Sequence, residues 1–147
     1  MLEIYVKNYN ELTIYELYGL LQLRSKVFVV EQDCVYQDID GKDQISLHVI
    51  GKNNNIIVAY TRLFKEGDYF KEASIGRVVV DTNFRHFKYG SQIMKASVTA
   101  IQNHFNTSEI KISAQLYLKD FYNSFGFKSI GNSYLEDGIP HIAMKID

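Results

Sequence analysis

The chain has 147 residues, 46% of them hydrophobic, so it is long enough to bury one core but not two independent ones. Its 16 Lys and Arg residues are balanced by 17 Asp and Glu residues, which argues against nucleic acid as a general electrostatic partner. The single cysteine excludes an internal disulfide, and no apolar run approaches the ~20 residues that a membrane-spanning helix requires.

The first half of the chain predicts three strands and one helix. Residues 2–7 alternate apolar and polar side chains, which indicates a strand. A helix follows an N-cap at Asn10 or Thr13, and its inward stripe is Leu17, Leu20, Leu21, Arg24 and Phe28. The β-branched run at residues 27–30 is expected to end this helix, and residues 31–44 form an Asp-rich loop. Residues 46–52 and 56–64 form a hairpin that turns at residues 53–55.

The second half adds two helices and four strands. Residues 73–80 form a strand whose three final valines indicate burial on both faces, and a helix runs from residue 89 to about residue 104. A strand at residues 110–114 precedes a third helix that Gly126 ends. Strands at residues 127–131 and 141–146 flank a loop that holds Tyr134, Glu136, Asp137, Gly138 and Pro140. The order β-α-β-β-β-α-β-α-β-β predicts an α+β fold, an α/β sandwich with a mixed sheet of six to seven strands flanked by helices.

The junction between the strand ending at Val80 and the helix beginning at Tyr89 is a candidate anion site. Free N–H groups of a first helical turn and the helix dipole attract anions, and Gly90 lets a ligand approach the backbone closely. The basic residues around this junction are Arg85, His86, Lys88 and Lys95. The alternative is an ordinary helix start with solvated basic side chains.

Residues 85–90 resemble the pyrophosphate-binding motif of the GNAT superfamily of N-acetyltransferases, Arg/Gln-x-x-Gly-x-Gly/Ala, with Arg85 and Gly90 at its first and last positions. Lys88 stands where the motif has its middle glycine, and if that position requires a positive φ, a lysine there costs about 1 kcal/mol or more. Six further stretches resemble the ElaA-type branch of the superfamily: residues 23–32, 36–43, 75–80, 113–115, 121–127 and 134–141. The resemblance implies the GNAT fold, with a mostly antiparallel sheet, and one acetyltransferase domain over residues 1–147.

The resemblance also implies acetyl-CoA as the acetyl donor. The residues expected around its pyrophosphate are Arg85, His86, Phe87, Lys88, Tyr89, Gly90 and Ser91. Backbone groups of Val78 and Val80 are expected to pair with the pantetheine arm, and the N–H of Val79 to polarise the thioester carbonyl. Gln115 either bonds the cofactor or caps the third helix.

Tyr122 lies where many members of the superfamily keep a tyrosine that protonates the departing CoA thiolate. This role is chemically sensible, because a thiol titrates near 8.5 and a phenol near 10. The alternative is a core tyrosine, since Tyr122 stands at helical spacing from Leu118 and Phe125. An amine acceptor must also lose a proton, and the candidate bases are Glu31, His141 and Glu136, with a water chain as the alternative.

Polar residues of the first helix and of two loops are candidates for the acceptor site. Arg24 and Glu31 lie seven residues apart on the predicted inner face of the helix, where either a substrate site or a structural ion pair fits. Arg24 is a candidate for binding a substrate carboxylate. The full acceptor set is Arg24, Glu31, Tyr36, Glu136 and His141.

Other reactive residues are assigned no role in this chemistry. His48 is interpreted as a core histidine, and Cys34 as a nucleophile is a weak alternative. No metal site is predicted, because the histidines lack ligand spacing and Asp38, Asp40 and Asp43 do not follow a calcium-loop pattern.

The sequence therefore predicts a cytoplasmic N-acetyltransferase, monomeric or homodimeric, that passes acetyl directly from acetyl-CoA to a primary amine. No nucleic acid or membrane partner is expected, and small polyamines, amino acids and protein N-termini all fit as acceptors. One alternative is a non-catalytic acyl-CoA-binding sensor, which Lys88 in the phosphate loop favours. Another is an acyl-homoserine-lactone synthase, whose arginine and phenylalanine match Arg24 and Phe28 but whose tryptophan is absent from this chain.

Overall fold

One seven-stranded sheet runs through the protein, whose computed structural model describes residues 1–147. Its strands are β1 (Glu3–Asn8), β2 (Leu47–Asn53), β3 (Ile56–Phe64), β4 (Ala73–Val80), β5 (Ile110–Gln115), β6 (Lys128–Glu136) and β7 (Ile139–Ile146). They lie in the order β1-β2-β3-β4-β5-β7-β6, and β4 and β5 are the one parallel pair. The mixed, mostly antiparallel sheet confirms the predicted α+β fold.

Three α-helices accompany the sheet: α1 (Ile14–Arg24), α2 (Tyr89–Phe105) and α3 (Lys119–Asn123). Thr13 caps α1, because its hydroxyl accepts from the Glu16 N–H at 3.0 Å while the Glu16 carboxylate accepts from the Thr13 N–H at 3.0 Å. Helices α1 and α2 pack into separate buried clusters, the smaller built on α1 and the larger on α2. The two clusters place a helix over each face of the sheet.

The α-helix ends at Arg24, before the β-branched run that was predicted to end it, but helical structure continues through that run to Glu31, where the loop was predicted to begin. The chain continues from α1 into a π-helical segment, Ser25–Glu31, because Val27 and Phe28 bury their side chains to 4% and 9% exposure. Burial of two such side chains outweighs helix-propensity costs of a few tenths of a kcal/mol. The wider i→i+5 turns of this segment change which residues share a face. Arg24 is consequently fully buried while Glu31 is exposed.

The prediction of a loop between the last two strands was also wrong. β6 and β7 instead form one continuous hairpin, in which Glu136 pairs with Ile139 and Tyr134 with His141. Asp137 and Gly138 make the turn with φ values of +51° and +77°, as a two-residue Asp-Gly turn of type I′ requires. The hairpin places Glu136 and His141 at the same end of the sheet.

The parallel strands β4 and β5 pair at Ala73 with Ile110 and at Ser74 with Lys111, and then diverge. The end of β4 therefore borders an open cleft instead of a neighbouring strand. The valines at the end of β4 were predicted to be buried on both faces of the sheet, and that prediction was wrong. Val79 is 3% exposed, whereas Val78 and Val80 are half-buried. None of the helices combines the length and the hydrophobicity that crossing a bilayer requires.

Candidate active site

A cavity of about 540 Å³ occupies the gap between β4 and β5. The π-helical segment, the loop after it, α3 and the β6–β7 hairpin complete its walls. The predicted site residues that line it are Glu31, Tyr36, Val78, Val79, Val80, Arg85, Gly90, Gln115, Tyr122, Glu136 and His141. The structure therefore gathers most of the predicted cofactor and acceptor residues around one cavity.

The phosphate-loop residues divide into two groups. Arg85 and Gly90 line the cavity, whereas His86, Phe87, Lys88, Tyr89 and Ser91 do not. Tyr89 is a core residue at 4% exposure, and its hydroxyl accepts from Asn53 Nδ2 at 2.9 Å, so its side chain is not available to a ligand. Phe87 is 47% exposed on the outer surface.

Helix α2 presents an uncapped N-terminus to the cavity. Lys88 occupies its N-cap position without a side-chain hydrogen bond to the first turn. The free N–H groups of that turn and the dipole of a 17-residue helix favour an anion at this end. A Cβ built on Gly90 would meet only Phe121 at 3.5 Å and Val80 at 3.9 Å, which are ordinary contacts. The packing of the protein therefore does not itself require a glycine beside the cavity.

Lys88 has φ +61° and ψ +28°, the left-handed conformation that the missing glycine would adopt without strain. We expect Lys88→Gly to raise the free energy of unfolding by about 1 kcal/mol, because a side chain in this region is strained. The matched control is Lys95→Gly, an exposed position inside α2, where glycine should lower that free energy by about 1 kcal/mol. Urea unfolding of both variants tests this. Equal destabilisation by the two changes would contradict it.

Arg85 is held by Glu31, a partner that sequence reasoning missed. Its guanidinium donates to both Glu31 carboxylate oxygens, at 2.6 and 2.9 Å, and to the Val80 carbonyl at 3.1 Å. Thr82 donates a further hydrogen bond to Glu31 at 2.5 Å. The bonds from Arg85, supported by the one from Thr82, lower the pKa of Glu31. A carboxylate held in this way is a weak base, which removes the argument for Glu31 as the general base.

The position of Tyr122 is compatible with both alternatives. Its ring belongs to the larger buried cluster at 5% exposure, yet the residue also lines the cavity. Burial raises the pKa of Tyr122, and no hydrogen bond offsets that effect. The phenol therefore keeps its proton throughout the neutral range.

Gln115 lies at the far end of β5 and does not cap the following turn, so the capping alternative was wrong. Its amide donates to Gln32 Oε1 at 3.1 Å, which joins β5 to the loop across the cavity.

The end of the cavity where the acceptor is predicted to bind contains His141 and Glu136. His141 Nδ1 lies 2.7 Å from the Ile139 carbonyl, and because a carbonyl only accepts, this nitrogen carries the hydrogen. In the neutral ring the lone pair is therefore on Nε2, which lies 3.4 Å from Glu136 Oε2. Ser113 donates to Glu136 Oε1 at 3.1 Å and lies 2.5 Å from the Tyr134 hydroxyl.

Arg24 does not line the cavity, and its predicted role in binding a substrate carboxylate was wrong. It is fully buried and donates to Asp38 at 2.8 Å and to Asp43 at 2.7 Å. Asp43 also accepts from Arg62 at 2.9 Å, and Tyr36 donates to Asp38 at 2.8 Å. Burial alone would raise the pKa of Asp43, but the two arginines hold it below its ordinary value. These pairs fix the loop that carries Tyr36 against the sheet.

The remaining reactive side chains have structural partners. His48 is fully buried, which agrees with its interpretation as a core histidine. Its Nε2 lies 2.9 Å from the Asp43 carbonyl. Cys34 lines the cavity at 8% exposure, and its thiol lies 3.3 Å from the Asp137 carbonyl. No three His, Cys, Asp or Glu side chains are arranged to hold a metal ion.

Comparison with known proteins places this geometry in a family. The model of the acetyltransferase (GNAT) domain matches residues 8–147. Protein ElaA of Escherichia coli is 43% identical over 146 residues, which are 98% of this chain and 95% of ElaA. The crystal structure of ElaA superposes with a TM-score of 0.93 over the full length of both chains.

Two further structures bear on the predicted activities. An acyl-CoA N-acyltransferase from Pseudomonas aeruginosa is 37% identical, with a TM-score of 0.93 over 99% of each chain. The acyl-homoserine-lactone synthase LasI has a TM-score of 0.72 over 99% of this chain and 89% of its own, but at 11% identity that likeness concerns the fold alone. With a family model that spans residues 8–147 and a relative that is 43% identical, the chain belongs to the GNAT acetyltransferase family.

Proposed function

We propose that this protein transfers an acetyl group directly from acetyl-CoA to a primary amine. The observation that carries the proposal is the divergence of β4 from β5, which opens a cavity with an uncapped helix N-terminus at one end and His141 at the other. An anionic donor and an amine acceptor can meet in such a cavity.

The cavity residues fit the donor. The first turn of α2 and Gly90 suit a pyrophosphate, because their N–H groups are free and the glycine is not needed for packing. Arg85 adds a charge contact once its carboxylate partner Glu31 gives way to the phosphate. The unpaired edge of β4 near Val78 and Val80 offers backbone groups to the pantetheine amides. Bound acetyl-CoA supplies an activated acetyl thioester.

Three groups of the chain then act on the reaction. His141 Nε2 accepts the proton of the acceptor ammonium, since its lone pair is free in the neutral ring. A backbone N–H on the unpaired edge of β4, that of Val78, donates to the carbonyl oxygen as negative charge develops there; the N–H of Val79, predicted for this role, faces Tyr60 of β3. Tyr122 holds a proton on its hydroxyl oxygen and gives it to the sulfur that departs. No covalent bond to the protein is needed, because both reactants lie in one cavity.

The experiment is release of free CoA thiol from acetyl-CoA, measured with a panel of primary amines and with no amine. We expect amine-dependent release, with the acetylated amine detected by mass spectrometry. Binding of acetyl-CoA without transfer to any amine would favour the non-catalytic sensor. A thiol signal that is the same without amine would indicate hydrolysis and contradict the proposal.

A further inference from the structure

The charges at the acceptor end of the cavity do not balance. Behind this end of the cavity, three arginines and three aspartates pair with one another, through Arg24 with Asp38 and Asp43, Arg62 with Asp40 and Asp43, and Arg77 with Asp38. Of these six residues only Arg62 and Arg77 line the cavity. The six charges cancel, so the network contributes no net charge. Glu136 lies outside that network and has neither Lys nor Arg as a partner.

Glu136 is nevertheless held in place. Its carboxylate accepts from Ser113 at 3.1 Å, and its other oxygen faces His141 Nε2 at 3.4 Å. The negative charge of Glu136 also acts on Tyr69. Burial raises the pKa of Tyr69, and the charge of Glu136 raises that pKa further. Glu136 is therefore a held carboxylate that neither Lys nor Arg neutralises, and the exposed carboxylate of Asp137 lines the same cavity beside it.

The reacting amine has its own partner at this end. His141 is 7% exposed and lines the cavity, and its Nε2 makes no hydrogen bond within the protein. Because an amine must be neutral to attack, a carboxylate beside the reacting nitrogen would hinder it by favouring the ammonium form. Glu136 Oε2 lies 3.4 Å from His141 Nε2, so its charge attracts the ammonium form of any acceptor, and it adds most to the affinity for an acceptor with a second positive group that keeps its proton throughout the reaction.

We propose that Glu136 selects acceptors that carry a second positive charge, such as short diamines, over monoamines and amino acids. This inference rests on the proposed function, because it concerns the acceptor of that reaction. The competing acceptor would carry a carboxylate, to which the unpaired Nε of Arg62 offers a donor. That carboxylate would also face Asp40 and Asp43, which already hold the same guanidinium.

The test is calorimetric titration of the full chain, in the presence of CoA, with 1,4-diaminobutane, butylamine and 4-aminobutyrate. We expect the diamine to bind at least about tenfold more tightly than butylamine, and 4-aminobutyrate more weakly than both. Glu136→Gln should weaken diamine binding at least about tenfold and butylamine binding far less, so that the preference for the diamine is lost, whereas Glu136→Asp should keep part of it. Glu66→Gln, an exposed carboxylate outside the cavity, is the control and should change nothing.

The outcomes separate this inference from the proposed function. Diamine binding that depends on Glu136, with no acetyl transfer, would support the selectivity and contradict the proposed function. Equal affinity for the diamine and butylamine, tighter binding of 4-aminobutyrate, or a diamine preference that survives Glu136→Gln would overturn the inference, even if acetyl transfer is observed.

Discussion

Replacing Tyr122 by phenylalanine is expected to lower the rate of acetyl transfer by about 10²- to 10⁴-fold, the range typical of a lost general acid. The affinity for acetyl-CoA should stay within about twofold, because the ring at 5% exposure keeps its packing and only the hydroxyl is lost. Since burial raises the pKa of Tyr122, ionisation of this hydroxyl should not reduce the wild-type rate below about pH 10. Steady-state kinetics and calorimetry measure the two quantities separately.

The matched control is Tyr15→Phe, a tyrosine that is 83% exposed on α1 and lies away from the cavity. Its rate should equal that of the wild type. Unchanged turnover in Tyr122→Phe would remove Tyr122 from the mechanism, and a large loss of acetyl-CoA affinity would make it a binding residue instead.

Asp43→Ala is expected to lower the free energy of unfolding by about 3–5 kcal/mol, a large share of the 5–15 kcal/mol that a typical domain possesses. Asp43 is the shared partner of Arg24 and Arg62, at 2.7 and 2.9 Å. Without the Asp43 carboxylate, the buried guanidinium groups of Arg24 and Arg62, at 0% and 2% exposure, each lose one negatively charged partner. The loop that carries Tyr36 should loosen with them. Chemical denaturation measures the loss.

Lys26→Ala is the control, because it breaks the Lys26–Asp81 ion pair at 3.0 Å, in which the lysine side chain is 52% exposed. An exposed pair of this kind contributes at most about 1 kcal/mol. Similar losses in the two variants would contradict a stabilising role for the buried network.

The strand and helix order was predictable because it depends on local patterns. Alternation defined β1, and the three-to-four spacing of apolar residues defined α2. Arg85 and Gly90, which were predicted to bind the cofactor, both line the cavity, and the left-handed conformation of Lys88 was foreseeable because the family motif has a glycine there.

The contacts that the sequence did not reveal join residues far apart in the chain. Arg85 meets Glu31 across 54 positions, and no periodicity links a π-helical segment to a loop beside β4. Arg24 was interpreted as a substrate-binding residue because the helical spacing indicated that it faces inward, whereas nothing in the sequence indicated that aspartates would pair with it. The Asp-Gly pair at 137–138 was a signal for the last hairpin and was missed, so the juxtaposition of Glu136 and His141 came only with the structure.

Binding of acetyl-CoA in the cavity between β4 and β5 underlies the whole mechanism, and calorimetric titration of the purified protein at moderate salt tests it. Acetyl-CoA and CoA are titrated in parallel. We expect one site per chain with micromolar affinity for both, since the phosphates and the pantetheine arm supply contacts that the two ligands share. The absence of binding by either ligand would contradict it, and the acetyltransferase mechanism would then have to be abandoned for this chain.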